Sequence, residues 1–176
     1  MPQRDAAATR QRILDAAVAE FAERGAAGGR VDRIAQAAGA NVRMIYAYFD
    51  GKDGLFDAAL AAALTAMAEA VPPRADDLPR WAGELFDHHR QDPSALRISL
   101  WAQLERPASA SEPLEAYLAK TAVAPVDLLV HLYALAQAWF LSPEGLLRAD
   151  GSDPTSEERI AAHRANLVEA ARRLVG

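Results

Sequence analysis

The sequence contains no cysteine, which excludes a disulfide framework and cysteine-ligated zinc. It also lacks a long uninterrupted apolar run. The nearest approach, TAVAPVDLLVHLYALAQAWFL, is broken by Pro125, Asp127, His131 and Gln137, so no membrane span is expected. The opening MPQRDAAATRQR is polar, without the apolar core of a secretion signal, and a cytoplasmic location is the expectation. No stretch alternates at period two, which argues against a sheet, and no internal repeat or low-complexity tract appears. Catalytic spacings are missing too. Asp87, His88, His89, Glu105, His131 and His163 supply acid, base and ligand chemistry in principle, but His88 and His89 are adjacent and diverge on a helix. No HExxH or Glu-x-x-His pair occurs. The sequence therefore points to no enzyme, no metal and no cofactor.

What is present is a chain of 176 residues, half hydrophobic and a quarter charged, enough to bury a sizeable core. Its net charge of −5 hides a split. Residues 1–52 hold eight Lys/Arg and six Asp/Glu, net +2, and the remainder holds eleven and eighteen, net −7. A small basic head on an acidic body still binds phosphate locally, since exposed charges more than about 10 Å apart are largely screened at 0.1 M salt.

Period-3.6 patterning dominates, and the fold class read from it is all-α with about nine helices. Ile13, Ala17 and Phe21 make one stripe over about 8–24, ended by Gly25. Val31, Ile34, Ala35 and Ala38 make a second, stopped by Gly39. Asn41 caps a third helix with Ile45 and Phe49 inward, and Asp50 caps a fourth that runs to about Ala70 before Pro72-Pro73. Further helices are expected at about 79–91, 94–105, 112–121, 123–141 and 155–174, the last opened by a Thr155 to Glu158 capping box. The segment SPEGLLRADGSDP reads as a loop. Domain boundaries are placed at 1–51 for the head and 52–176 for the body.

The second and third helices, short and joined through a glycine turn, form a helix-turn-helix whose second helix enters the major groove of double-stranded DNA. With Ile45 and Phe49 inward, Arg43, Tyr46 and Ala47 share the outer face, beside Asn41, Val42 and Met44. Tyr48 and Lys52 lie four apart on the flank, suited to phosphates. The alternative for each tyrosine alone is a half-buried core position, and for Arg43 alone a solvated surface charge.

These residues resemble the tetracycline-repressor (TetR) family of bacterial transcriptional regulators. The likeness rests on Arg12-Ile13-Leu14-Asp15-Ala16-Ala17 with Phe21 and Gly25, Ile34-Ala35 with Ala38-Gly39, Tyr46-Ala47-Tyr48-Phe49, and Lys52 followed by Leu55-Phe56. It covers about residues 9–60 and departs from the family where a threonine or serine usually opens the second helix. Here Gly29-Arg30 stands instead, and Arg30 is the group offered to phosphate. The resemblance implies a homodimeric repressor on a palindromic operator, released by a small-molecule effector held in the larger helical domain. A ligand-free dimeric regulator is the alternative.

For the body the sequence supplies neighbourhoods. The helices at about 123–141 and 155–174 suit a dimer bundle, with alanines 161, 162, 165, 170 and 171 permitting close approach. Trp81, Phe86, His89, Arg97, Trp101 and Gln103 on the middle helices, with Tyr133 and Gln137 on the penultimate one, are candidates to line an apolar effector cavity with a few polar groups. Each has a plain alternative as a core residue.

Overall fold

The computed structural model describes residues 2–107 and 121–176, and among them every regular element is helical. The elements are α1 Pro2–Gly28, α2 Val31–Ala37, α3 Val42–Phe49, α4 Lys52–Ala70, α5 Leu78–Gln91, α6 Ser94–Glu105, α7 Val126–Leu141, α8 Glu144–Leu147 and α9 Glu157–Val175. The helix expected over 112–121 lies outside the described residues but for its last position.

Five expectations are corrected. The first helix begins at Pro2, a residue suited to a first helical position because its missing N–H has no partner to lose. Gly25 does not end that helix but breaks it, at φ 71° and ψ −178°, and Ala26–Gly28 add a further turn. Asp50 does not cap α4; it closes α3 in the left-handed conformation, its N–H donating to the Tyr46 carbonyl, and aspartate tolerates that region better than most residues. The cap of α9 is Ser156, whose side chain accepts from Arg159 N, while Thr155 turns to Asp153. Part of the expected 142–154 loop also coils into α8, where the Leu146 and Leu147 amides donate to the Pro143 carbonyl.

The chain packs as two compact units: Met1–Glu69 with Asp92–Glu112, and Ala70–Gln91 with Pro113–Gly176. These packing units group α4 and α6 with the three N-terminal helices. In the first unit α6 lies along α1, and α2 crosses both α1 and α3. Ile13, Ala17 and Phe21 of α1 meet Ile34, Ile45, Phe56 and Ile98 in a shared interior. Phe21 and Phe56 stack edge to face at 5.1 Å. Each large side chain so buried contributes about 1.5–3 kcal/mol, which is why α2 and α3, too short to be stable alone, hold their shape.

In the second unit α5 packs against both α9 and α7, and Trp81, Leu85 and Phe86 of α5, Leu129, Leu132 and Ala136 of α7, and Leu167 and Ala171 of α9 are all buried. The Arg164 guanidinium bonds both Asp87 oxygens at 2.7–2.8 Å, and Arg90 pairs with Glu157 at 3.0 Å. Ala171 therefore belongs to the interior of one protomer, while Ala161, Ala162 and Ala165 remain exposed. Leu174, near the end of α9, is also exposed.

The angle between α3 and α4 depends on Gly54, where any Cβ would overlap the Phe49 carbonyl. Gly54→Ala should cost about 1–3 kcal/mol in a urea titration, the range for overpacking. Gly145→Ala, with nothing within 4 Å of the added carbon, should stay within about 0.5 kcal/mol. Equal effects at the two sites would show that this helix junction is not tightly packed.

Candidate nucleic-acid interface

The α2–α3 turn is fixed from three directions. Within it, Gly39 N–H donates to Gln36 O and Ala40 N–H to Ala35 O. From α1, Arg12 Nε donates to Ala38 O at 3.2 Å. At the start of α3, the Asn41 side chain accepts from Arg43 N at 2.9 Å, so Asn41 is occupied in capping.

α3 turns Ile45 and Phe49 wholly inward. Its other face carries Val42, Arg43, Tyr46 and Ala47 outward, with Tyr46 58% exposed. Met44 and Tyr48 are half-buried at the edges, and the Tyr48 ring stands edge to face with Phe49 at 6.4 Å. Six of the sequence-designated residues (Asn41, Val42, Arg43, Met44, Tyr46 and Ala47) thus share this helix and its cap, and Tyr48 closes the row.

The cations around it are mostly engaged. Arg10 lies over the Phe49 ring at 4.7 Å, Arg12 holds Ala38, and Arg24 pairs with Glu20 and Glu23. Arg30 forms a two-point pair with Asp32 at 2.7 and 3.1 Å. Arg33 grips Glu20 and donates to the Gly28 carbonyl. The Lys52 ammonium rests on the Ala27 carbonyl at 3.3 Å. Of the seven Lys/Arg from Arg10 to Lys52, Arg43 alone makes no ion pair, ring contact or side-chain hydrogen bond among the described residues.

Sequence reasoning missed Glu20. Arg30 at the N-cap of α2 makes no side-chain cap bond, yet its N–H donates at 3.0 Å to Glu20 Oε1, which also receives the Arg33 guanidinium. A carboxylate from α1 thus holds the amide of the N-cap residue itself, although no side chain at position 30 caps α2. Burial alone would raise the Glu20 pKa, but the Arg33 and Arg30 hydrogen bonds and the Arg33 and Arg24 charges outweigh it and hold it below the usual value. No local pattern signals a cap supplied from another helix.

The residues designated for an effector are divided between the two packing units. Trp81, Phe86, His89, Tyr133 and Gln137 lie in the second unit, on α5 and α7. Trp81 is buried, bonds Val71 O through its indole N–H at 3.1 Å and meets Tyr133 edge to face. Phe86 packs on Phe140 and His163, and His89 faces Phe140. Arg97, Trp101 and Gln103 belong to α6 of the first unit. Arg97 donates to Ala22 O, Trp101 covers Gly25, and Gln103 is exposed.

Also missed was a cluster on the second unit in which Trp139 meets both His163 at 4.5 Å and the Arg159 guanidinium at 4.9 Å. Burial, and secondarily the Arg159 charge, lowers the His163 pKa. Of the groups with acid, base or ligand chemistry, Asp87 pairs with Arg164 and Glu105 accepts from two backbone amides. No three such residues assemble a metal site among the described residues. No described helix is long and apolar enough to cross a membrane.

Residues 13–59 match the bacterial regulatory proteins of the tetR family, and residues 77–122 match a tetracyclin repressor-like C-terminal domain. The HTH-type transcriptional repressor SCO4008 of Streptomyces coelicolor is 45% identical over 105 residues, 60% of this chain and 55% of its own length. The chain thus spans about half of that curated relative. Among solved structures, SCO4942 of Streptomyces coelicolor, a candidate transcriptional regulator, superposes with a TM-score of 0.77 at 35% identity, covering 94% of this chain and 97% of its own. The multidrug binding protein EbrR, crystallised with imidazole, gives a TM-score of 0.62 at 25% identity over 99% and 90% of the two chains.

The depressed Glu20 pKa gives a signed expectation. Its contribution to stability is fully present above the ordinary glutamate value of about 4.3 and is lost as pH falls through the lower folded value. Glu20→Gln should therefore cost roughly 1–3 kcal/mol at pH 7, with the gap to the parent chain closing in melts below the ordinary glutamate range. A gap of constant size at both pH values would show that the carboxylate charge is not what holds α2.

Proposed function

The chain belongs to the tetR family of bacterial regulatory proteins, DNA-binding transcriptional regulators, and on that premise we propose that it is a homodimeric repressor that leaves a palindromic operator when a small, mostly apolar effector binds. The observation that carries the reading is the outer face of α3. It presents Arg43 uncommitted, between exposed Val42, Tyr46 and Ala47, on a helix whose opposite face is locked into the core. A guanidinium pairs bidentately with the O6 and N7 of guanine, and a short alanine allows close approach to a base edge. Arg30, Tyr48 and Lys52 flank it for phosphate contact.

In this reading residues 1–51 read DNA, and 52–176 dimerise and hold the effector. The dimer is assigned to α7 and α9. Val126 and Val130, each 58% exposed, and Leu141 at 50% continue through Ala134 and Ala138 as one stripe along α7. A second protomer would remove that apolar surface from water. The effector is assigned to the neighbourhood of buried Trp81, Phe86 and His89 with half-buried Tyr133 and Gln137. The name of SCO4008 as a repressor and the description of EbrR as a multidrug binding protein support repression and ligand binding, respectively. The cytoplasm, where the operator lies, is the location this reading requires.

Two outcomes test it. With a duplex selected from a random pool by the parent protein, Arg43→Ala should lose about 1–3 kcal/mol of discrimination at one base pair per half-site. Arg30→Ala should weaken all sequences alike and flatten the salt dependence; the reverse pattern would exchange the two roles. Separately, Val130→Asp with Ala165→Asp should sediment as a monomer, and a dimer of unchanged affinity would place the interface elsewhere.

A further inference from the structure

The break at Gly25 leaves backbone groups on either side of it without partners in their own helix. A residue at φ 71° and ψ −178° cannot continue the i→i−4 ladder, and amides and carbonyls near it must be satisfied elsewhere. α6 satisfies them. Arg97 Nε donates to the Ala22 carbonyl at 3.0 Å, before the break. Glu105 Oε2 accepts from the amides of Ala26 at 2.6 Å and Ala27 at 3.0 Å, after it. Between them Trp101 lies so close to Gly25 that a Cβ there would come within 2.8 Å of the indole. Residues 97, 101 and 105 are spaced four apart and so share one helix face. Donor, cover and acceptor meet carbonyl, glycine and amides in matching order.

The turn held in this way is also where the reading head attaches. The Ala27 carbonyl receives Lys52 of α4, and the Gly28 carbonyl receives Arg33 of α2. Just past Glu105, at the C-cap of α6, Arg106 pairs with Asp53 and Asp57 and lies over Phe56 at 5.4 Å, fastening the start of α4. We propose that Arg97, Trp101 and Glu105 are positioning residues for DNA recognition: they hold α1 in its broken form, and through residues 25–28 they set where α2 and α4 carry α3. Glu105 acts as a cap supplied from another helix to the last turn of α1. Without it that turn has no acceptor for its first two amides, and the anchor points of Arg33 and Lys52 move with it. The inference rests on the reading that α3 contacts DNA, and none of the three residues touches DNA in it.

The test compares the parent chain with Glu105→Ala and Glu105→Gln, because glutamine keeps an oxygen that accepts from the two amides and guards against a variant that merely fails to fold. In Glu105→Ala, amide exchange at Ala26 and Ala27 should accelerate, and affinity for a duplex selected by the parent protein should fall by at least about tenfold, or 1.4 kcal/mol. Affinity for a scrambled duplex should hold within about twofold, since phosphate attraction does not depend on helix register. Glu105→Gln should recover most of both losses. The proposal is overturned if selected and scrambled duplexes weaken in parallel, if affinity is unchanged, or if glutamine rescues no better than alanine. Should the parent chain select no duplex, the DNA reading itself fails. The clasp is then judged on exchange alone, and unchanged protection at Ala26, Ala27 and the α2 amides in Glu105→Ala overturns it.

Discussion

The carboxylate of Glu105, seated on the amides of Ala26 and Ala27, is the contact on which the first unit depends. A break in a 27-residue helix exposes unsatisfied peptide groups, and in a partly buried setting each costs about 1–3 kcal/mol if left alone. α6 meets that cost from one face and thereby fixes the last turn of α1. Everything next in sequence is hung on that turn. Gly29 follows it, Arg33 and Lys52 bond its carbonyls, and Glu20, about two turns earlier in α1, holds the amide at the start of α2. A helix of seven residues and one of eight are thus oriented by backbone groups of a longer one rather than by their own stability.

This arrangement bears on the charge of the head. Residues 1–52 are net positive, but most of that charge is used to build the head. Arg33, Arg12 and Lys52 bond carboxylate or carbonyl groups of neighbouring elements, and Arg30 is paired with Asp32. Exposed pairs such as Arg30–Asp32 are worth little in water and exchange readily for phosphate. The guanidinium of Arg43 needs no exchange. A head with modest net charge and one uncommitted, outward arginine on a rigid helix is suited to reading a base more than to gathering phosphates at random.

The second unit is organised by a different constraint, the burial of large rings. Trp81, Phe86, Phe140 and Tyr133 meet edge to face or tilted at 5.3 Å, arrangements favoured by the ring quadrupole. α7 gives only part of its apolar surface to this interior: Leu129, Leu132 and Ala136 face in, and Val126, Val130 and Leu141 face water. A helix apolar on nearly all sides needs more than one neighbour, and its outward stripe is the surface available to a second protomer.

Sequence by itself determined the helices and much of the reading face. The period of Ile13, Ala17 and Phe21, the pair Ile45 and Phe49, and the cap Asn41 are local signals, set by residues within a turn or two of one another, and the structure places each as its pattern indicates. The helix expected at about 94–105 matches α6 for the same reason. Tertiary structure alone decided what the polar side chains do. Arg97 and Trp101 read as cavity-lining residues and Glu105 as a spare acid, yet all three close on α1 about 75 to 80 positions away in sequence. Glu20 likewise holds the amide at the start of α2 from ten residues upstream. A hydrophobic stripe shows itself by its period, whereas a charged group's partner is fixed only when packing brings distant backbone within reach. That is why the elements were legible in the chain and the contacts that orient them were not.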